Sequence, residues 1–247
     1  MNDFLVFTLT APMGAFGDLA GHERRGSALW PGRSAILGLL GAAQGIRRTD
    51  KEGHEKLDQW RMAVSVLAAG NSLRDYHTVQ TVPQKVKRPN SRREALAEIG
   101  RKVNTIITQR DYRTDVCFGV ALWSEEAVCS LENMKACLDK PVFALYLGRK
   151  SCPLSGPVAA KVVQATDPLA ALTHVELPPW LAAGHSFRDS PGSVRVPDPK
   201  NPVVVASDPF EGVAWQRSEI RWDQPTDRSS WHFSRRIVHL HHPRGGE

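Results

Sequence analysis

The sequence predicts an α+β fold with the element order β-α-β-β-α-β, the ferredoxin-like arrangement, carrying a long basic insertion and a small β-rich C-terminal region. Three observations lead there. Short apolar, β-prone runs and helix-period patterns alternate in that order over the first 150 residues. The connection between the second and third strands runs from about Gly70 to Thr114, where a hairpin loop takes about 2–5 residues. Beyond residue 152 the texture changes: twelve of the 17 prolines and four of the seven tryptophans lie there. Residues 1–152 therefore read as one domain, with an insertion at about 74–113, and residues 153–247 as a separate Pro-rich, β-rich region.

The elements follow from local pattern. Phe4 to Thr10 is a buried strand, a short β-forming run stopped by Pro12. Pro12 to Gly32 reads as a glycine-rich loop with a basic pair, Arg24 and Arg25. Ser34 is the expected N-cap of a helix over Ala35–Gln44, and Gly45 its stop. Met62 to Ala69 is the second strand. Asp115 to Trp123 is the third, with Val116, Phe118, Val120 and Leu122 on one face. Ser124 is expected to cap a second helix running to about Asp139, whose first turn carries Glu125 and Glu126 as the helix dipole prefers. Val142 to Leu147 is the expected fourth strand. In the C-terminal region, Pro202–Ala206 and Arg236–Leu240 are short strands among Pro/Gly/Ser loops.

Composition narrows the function. Hydrophobic content of 41% with 23% charged residues fits a soluble globular chain and argues against disorder as its main state. The longest apolar run, near Ile36–Ala43, is too short to span a bilayer, and the N-terminus lacks the pattern of a signal peptide. Cys117, Cys129, Cys137 and Cys152 are scattered without a C-x-x-C pair, as reduced thiols in a cytoplasm would be. Neither G-x-G-x-x-G nor a P-loop occurs, so no nucleotide cofactor is expected. His239-x-His241-His242 lacks a Cys or acid in ligand spacing and reads as a solvated tail rather than a metal site.

The charge is concentrated. Residues 74–113 hold ten Lys/Arg against four Asp/Glu, which equals the whole net charge of +6. A segment of that kind is offered to an anion; the alternative is a solvated surface loop. At its root, Arg74, Tyr76 and His77 set a cation, a ring and an imidazole together, and Arg110, Tyr112 and Arg113 do the same at its other end. Rings interleaved with arginine suit unpaired bases and their phosphates. Lys85, Lys87 and Arg88 add charge along the arm. The alternative is local Arg–Asp pairing at two structural corners. Tyr146, Arg149 and Lys150 repeat the chemistry after the expected fourth strand.

On the first helix, Ile36, Leu39, Leu40 and Ala43 share one face, while Gly38, Gly41 and Gly45 share the other. Glycine inside a helix costs roughly 0.5–1 kcal/mol against alanine, so something approaches that face closely. It is either another part of this protein, or a nucleic-acid backbone or neighbouring subunit. Arg33 and Ser34 at the helix start favour a phosphate on the free amides. His77 and Tyr76, with Lys85, have the chemistry for acid–base work on RNA, but nothing local demands it.

Four segments then carry a resemblance: Leu9–Gly17 (LTAPMGAFG), Pro31–Arg47 (PGRSAILGLLGAAQGIR), Leu73–Val79 (LRDYHTV) and Tyr146–Leu154 (YLGRKSCPL). They resemble the fifth Cas protein family in its type I-E form, a subunit family of the CRISPR RNA-guided surveillance complex Cascade. The similarity runs from residue 1 to about Pro168, and the C-terminal third departs from it. The resemblance implies a ferredoxin-like domain with a projecting β-hairpin thumb, the role of residues 74–113. It implies a grip on the 5′ repeat-derived tag of the guide RNA and a cap on one end of the backbone filament. The implied neighbours are CasC backbone subunits and the large subunit CasA, with target DNA met through the assembled complex, in antiviral defence. Met13, Gly14, Arg33, Ser34, Leu37, Arg74, Tyr76, His77, Tyr146 and Arg149 are the implied RNA contacts. The I-E-like motifs imply a non-catalytic role, since another subunit cuts the precursor RNA there. In a related subtype the family member is itself the nuclease, so a metal-independent endoribonuclease is the first alternative. A stand-alone RNA-recognition protein is the second.

Overall fold

The computed structural model describes residues 1–20, 23–82, 91–100, 102–125, 130–182, 197–227, 230 and 232–243. In chain order the elements are β1 (Asn2–Gly14), β2 (Gly17–Ala20), β3 (Arg24–Ser27), α1 (Arg33–Gln44), α2 (Lys51–Leu57), β4 (Arg61–Ala68), β5 (Asn71–Thr81), α3 (Arg92–Ile99), β6 (Asn104–Trp123), α4 (Leu131–Asp139), β7 (Lys161–Ala165), α5 (Pro168–Leu172), α6 (Pro179–Ala182), β8 (Val204–Ser207), β9 (Arg217–Asp227) and β10 (His232–His241).

One large, mostly antiparallel sheet organises the chain, and its spine is β6, 20 residues long. The C-terminal half of β6 lies between β1 and β4, with Phe7 opposite Val120 and Val64 opposite the same valine. Its N-terminal half pairs with β5 in unbroken register from Asn71↔Thr114 to Thr81↔Asn104, and with β3 on the other side. The break between the halves is built from backbone geometry. Asp115 has φ +55° and Gly70 has φ +62°, and a methyl group at Gly70 would overlap the Thr114 carbonyl. The Arg113 guanidinium fastens the same corner, donating to the carbonyls of Ala69 (2.6 Å) and Gly70 (3.0 Å). The β5–β6 ladder extends about 34 Å at a ~3.4 Å rise per residue and ends at α3, which Ser91 caps by accepting from the Glu94 amide.

The sheet buries both faces. Strand alternation sends Leu5, Phe7 and Leu9 to one side, where they pack with Ile36, Leu37, Leu40, Phe118, Leu122 and Met134 beneath α1 and α4. Phe4, Val6, Ala63, Leu67, Cys117, Ala121 and Trp123 face the other side, packed with Ala171, Leu172 and Val175 of the α5 region. Apolar runs rather than strict alternation in β1, β4 and β6 follow from this double coverage.

Several sequence expectations are corrected. The fourth strand is not Val142–Leu147. The amides of Val142 and Phe143 instead donate to Ala43 O and Ala42 O at the end of α1, and only a Tyr146↔Pro153 bridge follows. Free helix carbonyls outcompeted the sheet for these donors. The place beside β1 belongs to β7, antiparallel in the register Phe4↔Val163. The glycine-rich loop contains β2 and β3. The second helix is capped by Ser130, which accepts from Asn133, rather than by Ser124. Strands β8, β10 and β9 continue the same sheet outward from β4, and Val204, Ala206, Val238 and Leu240 join the main core.

The N-terminus of α1 overturns a further expectation. Gly32, not Ser34, is the capping residue, and it offers no side chain. The cap comes from 190 residues away: Asp223 on β9 accepts the Arg33 amide at 2.7 Å. Arg236 on β10 bonds that carboxylate through Nε (2.7 Å) and reaches Asp208 Oδ1 (2.6 Å). Asp208 Oδ2 accepts from Arg33 Nη1 (3.0 Å) and the Met62 amide (2.9 Å). Arg33 completes the ring by donating to the carbonyls of Trp60 (2.7 Å) and Asp58 (2.6 Å). This buried network welds the C-terminal hairpin to the first helix.

Candidate nucleic-acid interface

Loop 146–153 carries Tyr146, Arg149 and Lys150, and it is locked against the end of β1. Ala15 donates to Leu147 O (3.1 Å), Leu147 to Cys152 O (2.9 Å) and Cys152 to Arg149 O (2.8 Å). Gly148 sits at φ +82°, and a methyl group there would overlap the Ala15 carbonyl. Only glycine permits that approach without strain. Ala15, Tyr112 and Cys152 form a small buried cluster with Met13 against it. The Arg149 guanidinium lies over the Tyr112 ring, 4.5 Å from its centroid.

Register then decides which charges meet. Residues paired across antiparallel strands share a face, as do residues two apart. One face of the hairpin root thus carries Leu73 with Tyr112, Asp75 with Arg110, and His77 with Thr108, and the parallel pair adds Arg25 beside Arg110. The other face carries Arg74 with Asp111 and Tyr76 with Gln109. There Asp111 is buried and holds two guanidinium groups, Arg74 Nε (2.8 Å) and Arg24 (3.0 and 2.8 Å). Hydrogen bonds from Arg74 and then Arg24 hold the Asp111 carboxyl below its ordinary value. That face presents Tyr76, 62% exposed, beside two arginines that share the single Asp111 carboxylate.

The first face is not neutralised. Its one acid, Asp75, is hydrogen-bonded to His77. Arg110 Nε and Arg149 Nη1 are both shielded from water and have no hydrogen-bond partner among the described residues. A buried charged donor left unsatisfied costs about 1–3 kcal/mol or more, a cost that an anion bound at either arginine would offset. With Arg25 and exposed Lys150, the root forms a cationic surface flanked by Met13, Gly14 and Tyr146.

The residues singled out from sequence therefore separate. Met13, Gly14, Arg110, Tyr112, Tyr146, Arg149 and Lys150 come together, and His77 lies on the same hairpin face. Tyr112 is buried under Arg149, so it positions that arginine and offers no open ring for base stacking. Arg74 and Tyr76 occupy the opposite face. Arg33 is only 4% exposed and bound within the protein; burial pushes its guanidinium below the usual value, against the pull of Asp208. Its amide is taken by Asp223, so this helix start offers no anion site. Leu37 is in the core, and a methyl group at Gly41 would lie 3.1 Å from Leu57 Cδ1, so that part of the glycine face packs on α2. Gly38 is exposed, and Ser34 lines a cavity of about 880 Å³ against β9. Lys85, Lys87 and Arg88 lie outside the described residues. Arg25, beside Arg110, was not among the sequence candidates; its signal was the Arg24–Arg25 pair, which a strand splits between opposite faces.

The sheet itself offers no open platform at its centre, because both faces are packed. Among the described residues no helix is long and apolar enough to cross a membrane.

Comparison with known proteins places the chain in a family. The family model of the CRISPR-associated protein Cas5, in its Cas5d form, matches residues 4–239. The CRISPR system Cascade subunit CasD of Escherichia coli (strain K12) is 33% identical over 186 residues, covering 71% of this chain and 78% of that protein. A chain of a CRISPR RNA-guided surveillance complex superposes with a TM-score of 0.64 at 25% identity, covering 97% of this chain and 89% of that one. A crystal structure of a Cas protein gives 0.55 at 25% identity, covering 97% and 94%. With the family model spanning nearly the whole chain and a relative one-third identical over most of it, this chain belongs to the CRISPR-associated Cas5 protein family.

Proposed function

We propose that the chain is a non-catalytic, RNA-binding subunit of a Cascade-type CRISPR surveillance complex in the cytoplasm. In this reading β1, α1, β4, β6, α4 and β7 form a ferredoxin-like unit, and the β5–β6 hairpin with α3 is its thumb. The hairpin root holds the backbone of the guide RNA at its 5′ repeat-derived tag. The subunit caps the backbone filament beside CasC and CasA subunits, and target DNA is met through the whole complex. The observation that carries the RNA reading is the pair of buried guanidinium nitrogens, Arg110 Nε and Arg149 Nη1, with no partner among the described residues. RNA phosphates would satisfy them once the two side chains turn outward to meet the strand.

The test is binding of a guide RNA bearing its 5′ tag to the purified chain across a salt series. Each hydrogen bond to a charged group is worth about 1.5–3 kcal/mol, so Arg110→Ala and Arg149→Ala should each weaken binding roughly 10- to 150-fold. Each should also flatten the log–log salt slope by about 0.7 per lost phosphate. Wild-type affinity and slope in the double variant would refute the assignment.

One observation favours a second reading. Asp75 bonds the His77 ring on the same face as Arg110, and a carboxylate-oriented histidine beside cations is equipped for proton transfer on RNA. Incubation of repeat RNA with the protein in EDTA decides between them. A discrete cut lost in His77→Ala or Tyr76→Phe would make the protein a metal-independent endoribonuclease.

A further inference from the structure

The opposite end of the sheet carries a cavity of about 1080 Å³ that the RNA reading does not use. It opens where β1 begins and β6 ends, so Asp3 on its rim and Met13 at the RNA surface lie up to about 34 Å apart along one strand. Its walls are aromatic. Trp60 and Trp123 are buried in it, and Phe210 packs edge-on against Trp123 at 5.6 Å. Trp215 stacks on His239 at 5.7 Å and 20°. Asp3, Glu125 and Glu211 line the cavity, and no Lys or Arg does among the described residues. Arg61 lies 4.0 Å from Glu125, with both side chains exposed. In a chain of net charge +6, these carboxylates make the aromatic hollow locally acidic.

We propose that this cavity receives a basic peptide segment, rich in Lys or Arg, from a neighbouring protein subunit. Three features select that occupant. Indole and phenyl walls attract cations, guanidinium best of all. The carboxylates supply its counter-charge while repelling a nucleic-acid backbone. Trp215 Nε1 is buried without a partner among the described residues; a peptide brings a carbonyl to accept from it, which a metal ion or an isolated ammonium does not. The volume is at the upper end of the ~300–1,000 Å³ of ligand pockets, which suits a short segment rather than one ion. The proposal rests on the reading of the chain as a subunit of a complex. RNA held at the hairpin root leaves this end free for a protein partner.

The experiment co-expresses the full chain with the other subunits of its system and a guide RNA. Assembly is read by native mass spectrometry, and RNA affinity is measured on the chain alone. Asp3→Lys combined with Glu211→Lys should lower incorporation at least tenfold and leave RNA affinity within twofold. Trp215→Phe keeps the ring, loses only the N–H, and should give a smaller loss in the same direction. In the wild-type background, a photo-cross-linking phenylalanine analogue at position 211 should attach to a basic segment of another protein subunit. Unchanged incorporation in the charge-reversed variant overturns the proposal. So does attachment to RNA, to a second copy of this chain or to nothing. RNA binding by the isolated chain reports separately on the RNA-binding reading, so the two fail independently.

Discussion

Replacing Asp208 with alanine tests the weld between the first helix and the C-terminal hairpin. Asp208 is 3% exposed and accepts from Arg33 Nη1, Arg236 Nη1 and the Met62 amide. Its loss leaves the Arg33 charge buried with only the Trp60 and Asp58 carbonyls, leaves the Met62 amide without its acceptor, and leaves Arg236 with Asp223 alone. Breaking one partner out of a buried ion pair costs about 3–5 kcal/mol, because the remaining charge keeps its desolvation penalty. For a chain of this size 1 kcal/mol moves the melting temperature by about 2–4 °C, so the expected fall is roughly 6–20 °C. Calorimetric or circular-dichroism melting of the full chain measures it. RNA affinity of the folded variant should be unchanged, because the network lies in the body of the protein rather than at the hairpin root. Arg33→Ala should follow the same pattern, losing stability and keeping affinity. A melting point within about 2 °C of wild type would refute the network's structural role. Loss of affinity at full stability would restore Arg33 as an RNA contact.

Three further outcomes follow from the same geometry. Gly148→Ala, at positive φ and against the Ala15 carbonyl, should displace loop 146–153 and weaken RNA binding through Arg149. An affinity equal to wild type would show that the loop's backbone does not position that arginine. Asp111 has a carboxyl held below its ordinary 3.8 in the folded state. Its contribution is fully present above 3.8 and is lost as the pH falls through the lower, folded-state value. The melting-temperature gap between wild type and Asp111→Asn should therefore narrow in that acid range, and a gap independent of pH would contradict the ion-pair account. Neutralising Lys85, Lys87 and Arg88 should flatten the salt dependence of RNA binding by about 0.7 per phosphate released; an unchanged slope and affinity would remove the arm from the binding surface.

Much of the fold was legible because local patterns carried it. The apolar run of β1 and the glycine stop of α1 at Gly45 are each written within about ten residues of sequence. The fourth strand was misplaced because Val142–Leu147 is locally as strand-like as any segment of the chain. Its amides were claimed by the carbonyls of Ala42 and Ala43, a competition that a window of sequence cannot contain. The close approach read from the glycine face of α1 holds at Gly41, where Leu57 of α2 approaches, and at Gly45, where Val142 does, but not at Gly38, where nothing lies within 4 Å.

The candidate site shows the same division. Sequence alone determined that the excess charge is concentrated in residues 74–113 and that arginines and rings punctuate its two ends, because composition along a chain needs no coordinates. Tertiary structure decided which of those cations are free. Arg74 and Arg24 are 37 and 87 residues from Asp111 in sequence, yet both are hydrogen-bonded to it. Arg110, next to Asp111 in the chain, lies on the other face, the one that carries Tyr112 with Arg149 stacked on its ring. Neutralisation depends on separation in space, falling off within a few ångströms, and strand alternation places neighbours in sequence on opposite sides of the sheet.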